Sequence, residues 1–67
     1  MLYLELNCRD FQMETESLEE VALVENLDQA EGYAAATVWG NDSGCYYLEI
    51  HELTVDGFKY LTTIYED

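Results

Sequence analysis

Positive charge is almost missing from this chain. Two residues of 67 are basic, Arg9 and Lys59, against 15 Asp and Glu, which leaves a formal net charge of −13. A protein that tracks a nucleic-acid backbone neutralises phosphates with Lys and Arg, and an anchor on a membrane surface needs a polybasic segment. Neither can be built from two cations. Proline is absent and histidine occurs once, at position 51. The two cysteines, Cys8 and Cys45, are far apart in sequence and form no CxxC motif. The longest apolar run, Tyr33 to Trp39, has seven residues, well short of the ~18 a membrane-spanning helix requires. Met1-Leu2-Tyr3-Leu4-Glu5 has no basic n-region and meets a carboxylate at once, which is unlike a signal peptide. The expected setting is therefore the cytoplasm, with both thiols reduced and a bridge between them as the alternative.

What is present argues for a fold. Hydrophobic residues make up 49% of the chain and aromatics 13%, more than a highly charged disordered segment carries. A chain of this length buries only about 60% of the surface its unfolded form exposes, so one small domain without a deep cofactor cavity is expected. Self-repulsion of so many like charges opposes compaction and raises the affinity of the folded state for protons. Stability is therefore expected to rise from pH 7 towards mild acid and with added salt.

Residues 2–6 alternate Leu, Tyr, Leu, Glu, Leu, the period of a half-buried strand. The polar stretch 7–16 is ambiguous; Phe11 and Met13 either extend that strand or form a short second one. Ser17 and Glu20 make a capping-box pattern, predicting a helix from Leu18 to Ala30 with Gly32 placed to end it. The apolar positions of that helix fall on two arcs about 140° apart, so a strand over Val21 to Val24 is the alternative. Residues 33–39 are rich in Thr, Val and aromatics, Asn41-Asp42-Ser43-Gly44 is a turn cluster, and Cys45 to Leu53 reads as a strong strand. Asp56-Gly57 is a hairpin signal before a last strand, Phe58 to Tyr65. The expected fold class is α+β: an antiparallel sheet of about four strands, in the order β-α-β-β-β, with one helix packed on one face. Alternation turns Tyr46, Leu48 and Ile50 to the core, and Tyr47 and Glu49 outward.

These residues do not assemble readily into a catalyst. On the strand 45–53, His51 shares a face with Cys45, yet six residues at about 3.3 Å each separate them by roughly 20 Å. His51 is expected to be a solvent-facing strand residue. Zinc needs three or four soft or carboxylate ligands at suitable spacing, and only Cys8, Cys45 and His51 are soft candidates. The turn at 41–44 lacks the ligand pattern of an EF-hand. No cofactor, metal site or catalytic group is expected.

The carboxylates are the feature left to explain. Glu19 and Glu20 suit the start of the proposed helix, where the macrodipole favours negative charge. Glu25, Asp28 and Glu31 are three apart, near one another on a helix surface, and Asp28 and Glu31 would lie at its unfavourable C-terminal end. Glu14, Glu16, Glu49, Glu52, Asp56, Glu66 and Asp67 add further charge. The total exceeds the magnitude of about 2–8 that suffices to keep a small domain soluble. A compact acidic body suits a groove lined with Lys and Arg, built for phosphate backbone. Tyrosines, Tyr47 among them, could anchor such an interface.

In size, charge and the carboxylates Glu14, Glu16, Glu19, Glu20, Glu25, Asp28, Glu31 and Glu49, the chain resembles the small acidic phage proteins that mimic nucleic acid, in particular anti-CRISPR inhibitors of type I surveillance complexes. The resemblance implies a non-catalytic inhibitor whose partner is a basic DNA-binding protein or a CRISPR surveillance complex subunit, in the cytoplasm of a bacterial host, with no direct contact to nucleic acid or membrane. Inhibitors of restriction enzymes or of uracil-DNA glycosylase follow the same logic. Partner-binding candidates are Glu14, Glu16, Glu20, Glu25, Asp28, Glu31, Tyr47 and Glu49. Two other readings remain: an adaptor or antitoxin-like module that pairs through an exposed sheet edge, and a minimal hydrolase dependent on His51.

Overall fold

The structure is a computed structural model and describes residues 1–40 and 44–65. Residues 41–43 of the turn expected at 41–44 and the terminal Glu66 and Asp67 lie outside the described residues. Four strands, β1 (Leu2–Asp10), β2 (Thr15–Val24), β3 (Tyr46–Thr54) and β4 (Gly57–Tyr65), form one antiparallel sheet in the spatial order β2-β1-β3-β4. Between β2 and β3 the chain forms α1 (Leu27–Ala34), which runs directly into a π-helical segment, Ala35–Trp39. The fold is α+β, a four-stranded sheet with one helix, as expected. The order of elements is different, because the helix follows the second strand rather than the first.

Of the helix predicted over 18–30 only the last four residues, 27–30, are helical, as the start of α1. Residues 15–24 are the edge strand β2, paired with β1, and the strand alternative at Val21–Val24 is the correct one. A β-bulge explains the misleading pattern. Leu6 pairs with Glu20 and Asn7 with Leu18, leaving Glu19 as an extra residue. A bulge shifts the two-residue alternation by one position. Apolar residues at 18, 21 and 22 then imitate helical i, i+3, i+4 spacing, although they belong to a strand. The apparent capping box at Ser17 has no helix to cap; Ser17 Oγ donates to Glu19 Oε1 at 2.7 Å instead.

The true helix start is Asn26, whose extended backbone and side-chain oxygen accepting from Gln29 N at 3.0 Å make an N-cap. Residues 33–39, expected as a strand, continue the helix. Ala30, Ala34 and Val38 recur every four residues and are fully buried, the stripe by which a helix faces a sheet. Thr37 turns its hydroxyl back to Tyr33 O at 2.8 Å, which satisfies it locally. Gly32 lies inside α1. The segment ends at Gly40 instead, where a Cβ would meet Ala35 O at 2.9 Å.

The core follows from alternation in the two central strands. Leu2, Leu4 and Leu6 from β1, with Leu48 and Ile50 from β3, meet Ala30, Ala34 and Val38, and Ala22, Val24, Tyr33, Tyr46 and Ile64 pack around them. One face of the sheet is thus covered by the helix and the other is not. The last hairpin forms as predicted, with Gly57 at φ 121° in its turn, a backbone region that glycine enters without strain. Trp39 Nε1 reaches Tyr65 O at 3.3 Å and ties the helical segment to β4. None of the described helices is long and apolar enough to cross a membrane.

Candidate functional site: an acidic edge and an open sheet face

Eight carboxylates occupy the segment from Asp10 to Glu31, which has no Lys or Arg. They fall on consecutive parts of the chain: the end of β1, the β1–β2 turn, the edge strand β2 and α1. Glu14 sits in the turn at φ 55°. Glu20 and Glu25 lie on and just beyond β2, and Asp28 and Glu31 lie on α1; all four are exposed. Glu20 lies near the buried phenol of Tyr33, which satisfies hydrogen-bond geometry with no partner and whose pKa is pushed up to about 12 by burial and, secondarily, by this carboxylate.

The proposed helical row of Glu25, Asp28 and Glu31 does not exist as drawn, because Glu25 precedes the N-cap. Its backbone N–H is held by Gln29 Oε1 at 2.8 Å. Asp28 falls in the first turn of α1, not the last. Negative charge there interacts favourably with the helix dipole, so local physics accounts for Asp28 after all. Glu31, in the middle of the helix, receives no such support.

Glu16 is the one candidate whose charge is neutralised. Arg9 donates to its Oε1 from Nε at 2.9 Å and from a terminal nitrogen at 2.6 Å. These bonds hold the Glu16 carboxyl below its usual range and the Arg9 guanidinium above its own. Among the described residues this is the only pairing of Arg or Lys with a carboxylate. Tyr47 lies close to it, with the Arg9 guanidinium 5.7 Å from the ring centroid, and its ring stacks on Tyr65 at 5.8 Å. Burial and Glu16 raise the phenol pKa of Tyr47. Tyr47 is thus half-buried and engaged within the sheet, not a projecting anchor.

The uncovered sheet face carries a second group that sequence reading missed. Glu5 on β1 lies directly opposite Glu49 on β3, and His51 follows two residues along the same strand face. His51 Nε2 is 3.1 Å from Glu5 Oε1 and 3.7 Å from Glu49 Oε2. It satisfies hydrogen-bond geometry with neither. One ligand atom from each side chain lies within 4.8 Å of the others, so this trio could hold a divalent cation through one imidazole and two carboxylates. The ring is flanked by Tyr3 at 6.0 Å, Tyr60 at 5.7 Å and Phe58 at 6.4 Å. His51 is therefore shielded among aromatic rings, with 17% of its side chain exposed, and not the open strand residue expected. The available signal was the alternation Leu4-Glu5-Leu6, which puts Glu5 on the face that Glu49 and His51 share.

Cys8 and Cys45 are also brought together, their sulfurs 2.7 Å apart. No known protein family, curated protein or solved structure matches the chain, so the chemistry of these groups is the ground for a functional reading.

Proposed function

We propose that this protein is a non-catalytic inhibitor that presents an acidic surface in place of nucleic-acid backbone to a basic, DNA-handling partner. One observation carries the reading: Glu20 on the edge strand β2, Glu25 just beyond it, and Asp28 and Glu31 on α1 are all exposed, in a stretch of chain that contains no Lys or Arg. The described residues hold twelve carboxylates against Arg9 and Lys59. Along a body 39 Å long that is roughly one net negative charge per 4 Å, near the spacing of phosphates along one DNA strand. Such a surface is drawn to Lys- and Arg-lined grooves at rates that fall steeply with ionic strength. In its most specific form the reading makes the chain an anti-CRISPR protein, acting in the bacterial cytoplasm to block target DNA binding by a type I surveillance complex.

The test is a charge-reversal comparison. Glu20, Glu25, Asp28 and Glu31 are replaced together by Lys, and in a control Glu52 and Asp56 on the other hairpin are replaced instead. A partner captured from bacterial lysate at low salt should be lost to the first variant, retained by the second, released by high salt and displaced by duplex DNA. Equal capture by both variants would refute the choice of surface.

A second reading rests on β4. This edge strand has one charged residue, Lys59, and exposes Phe58, Tyr60, Leu61 and Tyr65. Uncharged, open edges pair readily with a strand from another chain. An adaptor using this edge would keep its partner in high salt and after charge reversal on α1, and would lose it when a proline interrupts β4.

A further inference from the structure

Cys8 and Cys45 have no sequence relationship that suggests pairing, yet the fold holds them against each other. Cys8 is the seventh residue of β1 and pairs in register with Tyr46, the first residue of β3. Cys45 immediately precedes β3, and its carbonyl accepts from Arg9 N at 2.8 Å. Gly44 before it adopts φ 72°, the left-handed conformation that turns the chain into the strand at no steric cost. Both backbones are therefore fixed by main-chain hydrogen bonds of the central β1–β3 ladder. The sulfurs meet at 2.7 Å, within about 0.7 Å of the ~2.05 Å length of a disulfide. Both residues are half-buried.

We infer that Cys8 and Cys45 are a redox-active pair that closes to an intramolecular disulfide in exchange with a small-molecule disulfide such as glutathione disulfide. The inference is independent of the acidic surface. In the first step the sulfur of Cys45, as thiolate, attacks one sulfur of the oxidant. A Cys45–glutathione mixed disulfide forms and one glutathione thiolate leaves. Cys8 then loses its proton and attacks the Cys45 sulfur, expelling the second glutathione. Two electrons pass from the protein thiols to the oxidant, and the two protons end on the two glutathione thiols.

Cys45 is placed first because the Cys8 thiol is held protonated. Its pKa is raised to about 11 by the hydrogen bond to Cys45 and by burial, and the thiolate is the nucleophile in exchange. The second step is intramolecular between groups already in contact, so the mixed disulfide should not accumulate. The bond would close a loop running through β2, α1 and the π-helical segment. Constraining a loop of that length in the unfolded chain stabilises a small fold substantially.

The experiment equilibrates the reduced protein in glutathione mixtures of increasing oxidising power, then reads intact mass, alkylatable thiols and thermal melting. A monomer lacking two hydrogens is expected, with both thiols protected and the melting temperature raised by roughly 10–20 °C. Dithiothreitol should reverse all three changes. The Cys8→Ser variant should stop at one glutathione adduct, located on Cys45. Wild-type protein that instead accumulates glutathione on both cysteines, or forms disulfide-linked dimers, would overturn the inference. The wild-type measurement decides the matter even if the variant fails to fold.

Discussion

Cys8 and Tyr33 are the two side chains whose titration the fold changes most clearly. Each is neutral in its protonated form, and each has a folded pKa above its ordinary value: Cys8 rises from 9.0 to about 11 and Tyr33 from 10.0 to about 12. A group raised in this way stabilises the fold fully below its unfolded pKa and loses that contribution as pH climbs to the folded one. Stability should therefore decline in two stages, beginning near pH 9 for Cys8 and near pH 10 for Tyr33. Melts recorded with reduced protein between pH 8 and 11 test this. Cys8→Ser should flatten the early stage and Tyr33→Phe the later one; superimposable pH profiles for wild type and both variants would contradict it. Neither shift was legible in the sequence. The first needs Cys45 delivered from a distant segment, and the second needs α1 to carry Tyr33 onto the core, with Glu20 near the phenol.

At the level of elements, success and failure have separable causes. β1 and β3 were legible because Leu2-Leu4-Leu6 and Leu48-Ile50 alternate towards the core, and β4, although a register shift leaves Leu61 extra opposite Ile50 and His51, because Gly57 marks the turn before it. β2 was read as a helix because the bulge at Glu19 breaks its period. The helix was read as a strand over 33–39 because Thr37, Val38 and Trp39 favour sheets, whereas the Ala30-Ala34-Val38 stripe shows its period only across the boundary between two presumed elements. Asn26 was overlooked as the cap because the chain was already taken to be helical there. Its role is measurable. Asn26→Ala removes the bond to Gln29 N and should lower stability by about 1 kcal/mol, visible as a melting temperature several degrees lower. Asn26→Asp should leave stability nearly unchanged. An alanine variant as stable as wild type would show that tertiary packing alone sets this helix start.

For the whole molecule, the deciding quantity is the excess of thirteen negative charges on a body measuring 39 × 22 × 17 Å. Mutual repulsion is relieved by screening and by partial protonation. The melting temperature should rise with added salt at pH 7, and rise again as pH is lowered from 7 to about 5. Glu16 sets a lower bound to this trend. Its folded pKa is lowered, chiefly by the hydrogen bond from Arg9, so its contribution is present above the unfolded value near 4.5 and is lost as pH falls below it. Melting temperatures that fall with salt and with mild acid would show that repulsion is not the dominant electrostatic effect. The same excess makes the acidic edge a candidate interface, and it also discourages β2 from pairing with other chains, since charged residues on an edge strand oppose aggregation. β4 lacks that protection, and its exposed aromatics keep the adaptor reading open to test.

The sequence by itself determined the charge, the fold class, the outward and inward faces of the central strands and the last hairpin, because these depend on composition and on local periodicity. It also determined that the stretch from Asp10 to Glu31 contains no Lys or Arg. Tertiary structure decided the rest: that Arg9 neutralises Glu16, that Glu5, Glu49 and His51 converge, and that Cys8 meets Cys45. Each of these joins residues from two strands, or from a strand and the turn that leads into one. The pairing register that brings them together is set by which faces the whole sheet can bury against Ala30, Ala34 and Val38, a condition no short segment can express.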